Sequence, residues 1–348
     1  MSEHESPLLA GAGAALLAAL SFGVTAPLVA RFGAHVGPLS TAALLYAGAA
    51  ASSLLRFERS TGAPLQARHA WRVLAMACVG AGVAPTLLAW GLQHTGGTVG
   101  SLLLNLEAVF TALLAWLVYR EPIGRRVALA LTLMTLGGCA LAFGAAFTPG
   151  WSLLGAAAVA GATLSWGADN TLSRQLSQQD PLRIVALKGS LGAALTASAA
   201  YLWGEQLPEL RPALVLLACG ASGYGLSLRL YLTAQRRMGA ARTGSIFAVA
   251  PFVGAALAFA LGDRGHALGV VLAALLFGVG LWLHLTEHHE HRHVHQAVDH
   301  EHPHRHDDGH HDHPHDPPFV GEHSHPHHHD HVEHEHDHAP DVHHDHTH

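Results

Sequence analysis

Leu20-Ser21-Phe22-Gly23 returns as Leu164-Ser165-Trp166-Gly167, Gly100-Ser101 returns as Gly244-Ser245, and Tyr119-Arg120 falls opposite Asp263-Arg264. Each match is displaced by 144 residues. A constant displacement between distant segments marks a duplicated unit of that length. Both copies lie in strongly apolar sequence, so the duplicated unit is a membrane body, and a duplicated membrane body points toward a transporter.

Composition divides the chain at about residue 286. The whole chain is 50% hydrophobic and 13% charged, with a formal net charge of −6. Residues 287–348 hold 26 of the 32 histidines and 15 acidic residues against two arginines, a formal charge of −13. The remainder is Ala-, Leu-, Gly- and Val-rich and carries +7. A near-neutral average thus conceals a basic membrane part and an acidic tail.

A bilayer core about 30 Å thick takes roughly 20 apolar residues per helix. Ten spans are expected, near 8–30, 36–55, 71–93, 98–119, 124–143, 151–174, 182–203, 212–234, 242–262 and 266–285. Gly and Pro within them are ordinary in membrane helices, and abundant Ala, Gly and Ser permit close helix approach. The first block has an acidic leader, Glu3 and Glu5, and is long enough to span. It reads as a retained helix rather than a cleaved signal. The organisation is two five-helix repeats, 1–145 and 146–286, followed by a tail, 287–348, with no hydrophobic period and no expected order.

Arginines set the expected orientation. Arg56, Arg59, Arg68, Arg72, Arg120, Arg125, Arg126, Arg174, Arg183, Arg236, Arg237 and Arg242 fall in loops on one side, against Arg31, Arg211 and Arg264 on the other. The positive-inside rule places both termini in the cytoplasm of a plasma (inner) membrane. Five helices per copy is an odd number, so the second copy runs upside down relative to the first. Inverted repeats put a solute path near the bilayer midplane, between the halves.

Four ionisable side chains lie within spans: Glu107, Asp169, Lys188 and Arg229. Each costs about 2.5–3.5 kcal/mol at a helix centre on insertion scales, which invites a functional reading. Asp169 and Lys188 each lie about six residues inside the same face, roughly 9 Å at 1.5 Å per residue. They are expected to pair, with Arg229 at similar depth as a third member. The plain alternative is a structural pair with a snorkelling arginine. Glu107 is near mid-membrane, its duplicate position is Pro251, and Thr111 shares its face one turn on. It is the candidate for proton coupling or solute contact, against the alternative of a hydrogen-bonded structural carboxyl. Asn170 beside Asp169 and Tyr231 beside Arg229 complete the candidate set; the nearby serines more often bond backbone.

No phosphate-binding glycine loop, nucleophile motif or helix-borne zinc motif occurs, so no enzyme, no required cofactor and no nucleic-acid partner are expected. Cys78, Cys139 and Cys219 are far apart and read as small apolar residues.

These residues resemble a family. Asn105-Leu106-Glu107-Ala108-Val109-Phe110-Thr111-Ala112-Leu113-Leu114-Ala115-Trp116 through Arg120-Glu121, and Ala250-Pro251-Phe252-Val253-Gly254-Ala255 through Gly262-Asp263, are similar to the drug/metabolite transporter superfamily, specifically its EamA-type permeases. The resemblance covers residues 8–286. Pro251, Glu121 and Asp263 match the family's early proline and terminal acid, while Glu107 stands where the first-half proline is usual. The resemblance implies an all-α membrane protein that moves a small metabolite or drug-like solute as a secondary permease, read here as an exporter. Segments such as Gly167-Ala168-Asp169-Asn170 look like a subgroup with His-rich tails.

The tail alternates histidine with other residues: His291, His293, His295; His300, His302, His304, His306; His311, His313, His315; His334, His336, His338. Neutral imidazole binds Zn, Ni, Co and Cu, and neighbouring carboxylates can complete a shell. Unperturbed imidazoles also charge between pH 7 and 5.5, so acid sensing is a second property. Two further functional readings stand beside the permease: a divalent-metal transporter fed by the tail, and a membrane-tethered metal buffer or sensor without transport.

Overall fold

The computed structural model describes residues 7–54, 67–120, 123–145, 152–174, 176, 181–238, 240–263 and 267–285, together with the backbone of four short tail strands. Between residues 7 and 285 the described residues are mainly helical. The elements are α1 (Pro7–Gly23), α2 (Thr25–Phe32), α3 (Pro38–Leu54), α4 (Ala70–Cys78), α5 (Ala84–Leu103), α6 (Leu106–Tyr119), α7 (Arg125–Ala145), α8 (Leu153–Arg174), α9 (Pro181–Leu202), α10 (Leu210–Cys219), α11 (Ser227–Met238), α12 (Ala240–Phe247), α13 (Ala250–Ala260) and α14 (Ala267–Leu285). A π turn, Val79–Val83, joins α4 to α5, and another, Gly220–Leu226, joins α10 to α11.

Six stretches among the described residues are long and apolar enough to cross a membrane: Ala10–Phe32, Ala70–Leu103, Arg125–Ala142, Leu182–Leu202, Leu210–Gln235 and Ala267–His284. The ten expected spans exceed this number, and the structure supplies a physical reason for two of them. Spans 98–119 and 242–262 are each interrupted, at Leu104–Asn105 and at Ala248–Val249, by turns closed with i→i+3 hydrogen bonds. Their inner parts, Leu106–Tyr119 and Ala250–Ala260, are short apolar helices. The two interruptions lie 144 residues apart, as the duplication requires.

Packing follows the same displacement. The principal helix contacts include α1 on α11, and α8 on α5. Adding 144 to α1 and α5 gives α8 and α11, so one contact is the image of the other. The two most extensive contacts, α7 on α14 and α3 on α9, each join an element to its own image. Glycines make the close approaches possible. A Cβ on Gly220 would lie 1.9 Å from the Leu45 carbonyl oxygen, and one on Gly48 would lie 2.1 Å from that of Leu217. Phe277, Leu45, Met76, Leu88, Leu92, Leu102 and Met134 fill the interior. Leu153, Leu154, Leu202, Trp203, Leu268, Leu275 and Trp282 are exposed. Such an apolar exterior is the face a membrane protein turns to lipid.

Two acidic residues from the second half cap helices of the first. Glu205 accepts from the Leu39 and Ser40 amides at 3.1 and 2.8 Å, at the start of α3. Asp263 accepts from the Thr98 amide at 2.9 Å, and the Thr98 hydroxyl donates to the Asp263 carbonyl at 2.6 Å. Gly96, at φ 76°, makes room for this second cap: a Cβ there would lie 2.6 Å from Asp263 Oδ2.

The tail departs from expectation in part. Backbone strands β1 (Arg292–His295), β2 (Val298–His304), β3 (His323–His329) and β4 (Val332–Glu335) form two antiparallel pairs, β1 with β4 and β2 with β3. The alternation of histidine with other residues has the period of a strand, which is the pattern the ladders use.

Candidate functional site

Glu107 owes its place to the interruption before α6. It lies in the first turn of that helix, where amide groups have no intrahelical partner and the helix dipole favours a negative group. A carboxyl deep in the membrane body is thereby accommodated without a basic neighbour on its own helix. Its duplicate, Pro251, occupies the first turn of α13, where a residue lacking N–H is equally at home.

From α8, packed on α6, Asn170 Nδ2 donates to Glu107 Oε1 at 2.9 Å and lies 3.5 Å from Thr111 Oγ1. Glu107 is half-buried and Asn170 exposed. Sequence reading had grouped Thr111 with Glu107 and Asn170 with Asp169; the structure brings all three of Glu107, Thr111 and Asn170 together.

The residue before Asn170 faces another way. Asp169 Oδ2 is ion-paired with Lys188 Nζ of α9, and both side chains are largely buried, at 7% and 14% exposure. The expected pair is therefore present. Arg229 does not join it. Its helix, α11, packs on α1, α12 and the second π turn, and Asp169 Oδ1 is buried without a partner. Tyr231, on the same helix, packs edge-on against Phe247 at 5.2 Å rather than at the ion pair.

Sequence reading missed the wall behind Asp169. In the first π turn the Ala84 amide bonds Val79 O, five residues back, and so leaves the Gly80 carbonyl without its usual donor. The next amide along would belong to residue 85, which is Pro85 and has none. Two side chains serve the Gly80 oxygen instead: Tyr46 Oη donates at 2.7 Å and Trp166 Nε1 at 3.0 Å. Gly80 also leaves room for the carboxylate, since a Cβ there would lie 2.4 Å from Asp169 Cγ. The combination of Gly80 with Pro85 is the signal that was available.

Tyr46 reaches the second π turn as well, its ring 5.5 Å from that of Tyr224. Phe22 and Trp166 also adjoin Tyr224, at 5.8 and 6.3 Å. An aromatic cluster from both halves therefore lies beside the ion pair. Ser165, Ser173 and Ser227 bond backbone carbonyls of Gly161, Asn170 and Ala18. Cys78, Cys139 and Cys219 are free thiols. Among the described residues, no three His, Cys, Asp or Glu side chains come together as a metal site. The histidine side chains of the tail lie outside the described residues.

The EamA-like transporter family matches the sequence twice, over residues 9–143 and 153–286. The chain belongs to this family. The two EamA matches begin 144 residues apart, the displacement read from Leu20 and Leu164. An uncharacterised transporter of Methanothermobacter thermautotrophicus is 31% identical over 186 residues, which cover 51% of this chain and 53% of the relative. The chain thus spans about half the length of that curated relative. A solved crystal structure, described only as that of a protein, superposes with a TM-score of 0.58 at 17% identity. It covers 78% of this chain and 95% of its own, a likeness of fold. Within the EamA halves, the broken helix α5–α6 and its image α11–α13 carry Glu107 and its duplicate Pro251.

Proposed function

We propose that this chain is a secondary permease that carries a small organic solute outward across the plasma membrane. Its ten spans form two inverted halves, 1–145 and 146–286, with both termini cytoplasmic and 287–348 a cytoplasmic appendage. The reading rests on one observation above others: Glu107, at the start of a broken helix in the first half, is hydrogen-bonded to Asn170 of the second half. Discontinuous helices with their N-terminal ends near the midplane are the device by which inverted-repeat transporters hold polar cargo. The neighbouring Asp169–Lys188 pair belongs to the second half but lies against Gly80 of the first, and the aromatic cluster comes from both, so rocking one half against the other reshapes the whole site.

In this mechanism Glu107 exchanges a proton while Asn170 keeps its carboxyl oriented. Asp169, with one oxygen on Lys188 and one buried oxygen unserved, offers an acceptor to an N–H or O–H of the solute. Lys188 offsets the charge of Asp169, so that binding does not require a bare carboxylate in a low-dielectric site. Carriage of a divalent ion draws no comparable support from the described membrane residues.

The test is flux in proteoliposomes under an imposed pH gradient, against a panel of labelled amino acids, sugars and amines. Glu107→Gln keeps an acceptor for Asn170 and loses proton exchange. Gradient-driven flux is expected to vanish while solute–solute exchange persists. Undiminished gradient-driven flux in the variant removes Glu107 from coupling.

A further inference from the structure

We propose that the paired tail strands form a transition-metal site from opposed histidines on one face of the β2·β3 ladder. The register sets His300 opposite His327, His302 opposite His325, and His304 opposite His323. Residues two apart on a strand share a face, and directly opposed residues share it too. Six histidines therefore occupy three consecutive same-face rungs, and a seventh, His329, stands opposite Val298 on the next rung of that face. The intervening rungs hold Asp299 opposite His328, Glu301 opposite Pro326 and Pro303 opposite Ser324. Both prolines thus belong to the other set, clear of the histidine rungs.

The second ladder extends the first. β1 and β4 pair Arg292 with Glu335 through His295 with Val332, in the same frame that pairs Val298 with His329. Residues 296–297 and 330–331, two on each side, separate the ladders. The outer ladder has one opposed histidine pair, His293 with His334, so it lacks the adjacent rung that the inner ladder supplies.

Spacing decides what such a face can hold. Opposed positions have Cβ atoms about 4.5–5.5 Å apart. Adjacent same-face rungs are about 7 Å apart along the strand. Zinc takes imidazole nitrogens at about 2.0–2.1 Å and prefers four of them in a tetrahedron. Two adjacent rungs provide four imidazoles at that scale. With three rungs, the central pair His302–His325 belongs to either possible tetrad, so one tight ion is bound per chain. Zn²⁺, Co²⁺, Ni²⁺ and Cu²⁺ are the class that four imidazoles select. The inference does not depend on the transport reading, and its test reads metal binding alone.

Purified full-length protein in metal-free buffer would be titrated with Co²⁺ and with Zn²⁺, following the visible absorption of tetrahedral Co²⁺ and the binding heat. Two double variants separate a ladder from a flexible polyhistidine chain. His302→Ala with His325→Ala removes the central rung and leaves the outer rungs about 13 Å apart. His304→Ala with His323→Ala removes an end rung and leaves one complete tetrad. Both retain the same number of histidines and leave residues 7–285 untouched. The central-rung variant is expected to bind at least tenfold more weakly and to lose the tetrahedral absorption; the end-rung variant should stay within twofold of the parent. Equal weakening in both variants, no weakening in either, or a larger loss from the end rung overturns the ladder.

Discussion

Asn170 Nδ2 donates to Glu107 Oε1 across the interface of the two halves, at 2.9 Å. This bond ties the first turn of α6 to α8 one residue away from the Asp169–Lys188 ion pair. Removing a hydrogen bond to a charged group costs about 1.5–3 kcal/mol. Asn170→Ala is therefore expected to lower solute flux about tenfold or more at that energy. Because Asn170 is exposed, thermal stability in detergent should change little. Flux and melting measured on the same preparation check this; a variant that loses both together would make Asn170 a structural residue only.

The ion pair makes a different demand. Lys188→Met leaves Asp169 as a buried charge without its counter-ion, a loss of about 3–5 kcal/mol for pairs of this kind. Lys188→Met combined with Asp169→Asn removes both charges and is expected to recover most of the stability. If Asp169 receives the solute, the double variant stays folded yet transports poorly. Melting temperature and flux distinguish the outcomes, and a double variant with full flux would leave the pair a purely structural role.

Gly80 is expected to be intolerant for a steric reason. A methyl group there would meet the Asp169 carboxylate at 2.4 Å and press on the wall formed by Tyr46 and Trp166. Overpacking of this sort costs about 1–3 kcal/mol. Gly80→Ala should lower the melting temperature and abolish transport. Gly278→Ala, at a position with nothing within 4 Å of the added carbon, should be silent. Equal behaviour of the two alanine variants in a thermal melt would count against the tight wall.

The ion pair was legible because equal distance from two helix ends is a matter of counting residues. So was the duplication, since 144 recurs in the sequence, in the helix interruptions and in the helix contacts. Residues 101–110 contain neither Gly nor Pro, yet the helix breaks at Leu104–Asn105. Only the image at Ala250-Pro251 announces such a break locally. The first-half interruption is imposed by packing, and a single window of sequence does not record packing. Arg229 misled for a related reason: depth along a helix says nothing about which face of the bundle that helix presents. Tyr46 was overlooked because its partner is a backbone carbonyl freed by a π turn, a contact between positions 34 residues apart.

Inversion of the halves has a direct chemical test. His35 lies between α2 and α3, and the position 144 residues on is Gln179, between α8 and α9. In parallel repeats these two positions face the same side of the membrane; in inverted repeats they face opposite sides. With Cys78, Cys139 and Cys219 replaced by alanine, His35→Cys and Gln179→Cys can each be exposed in intact cells to a membrane-impermeant thiol reagent. The arginine-rich loops belong on the cytoplasmic side by the positive-inside rule. Arg174 and Arg183 flank residue 179, whereas only Arg31 is close to residue 35. Cysteine at 35 is therefore expected to label in intact cells, and cysteine at 179 only after permeabilisation. Labelling of both from outside, or of neither, would mean that the halves run parallel. The Glu107–Asn170 bond would then join two elements that do not exchange exposure as the halves rock, and alternating access would require another hinge.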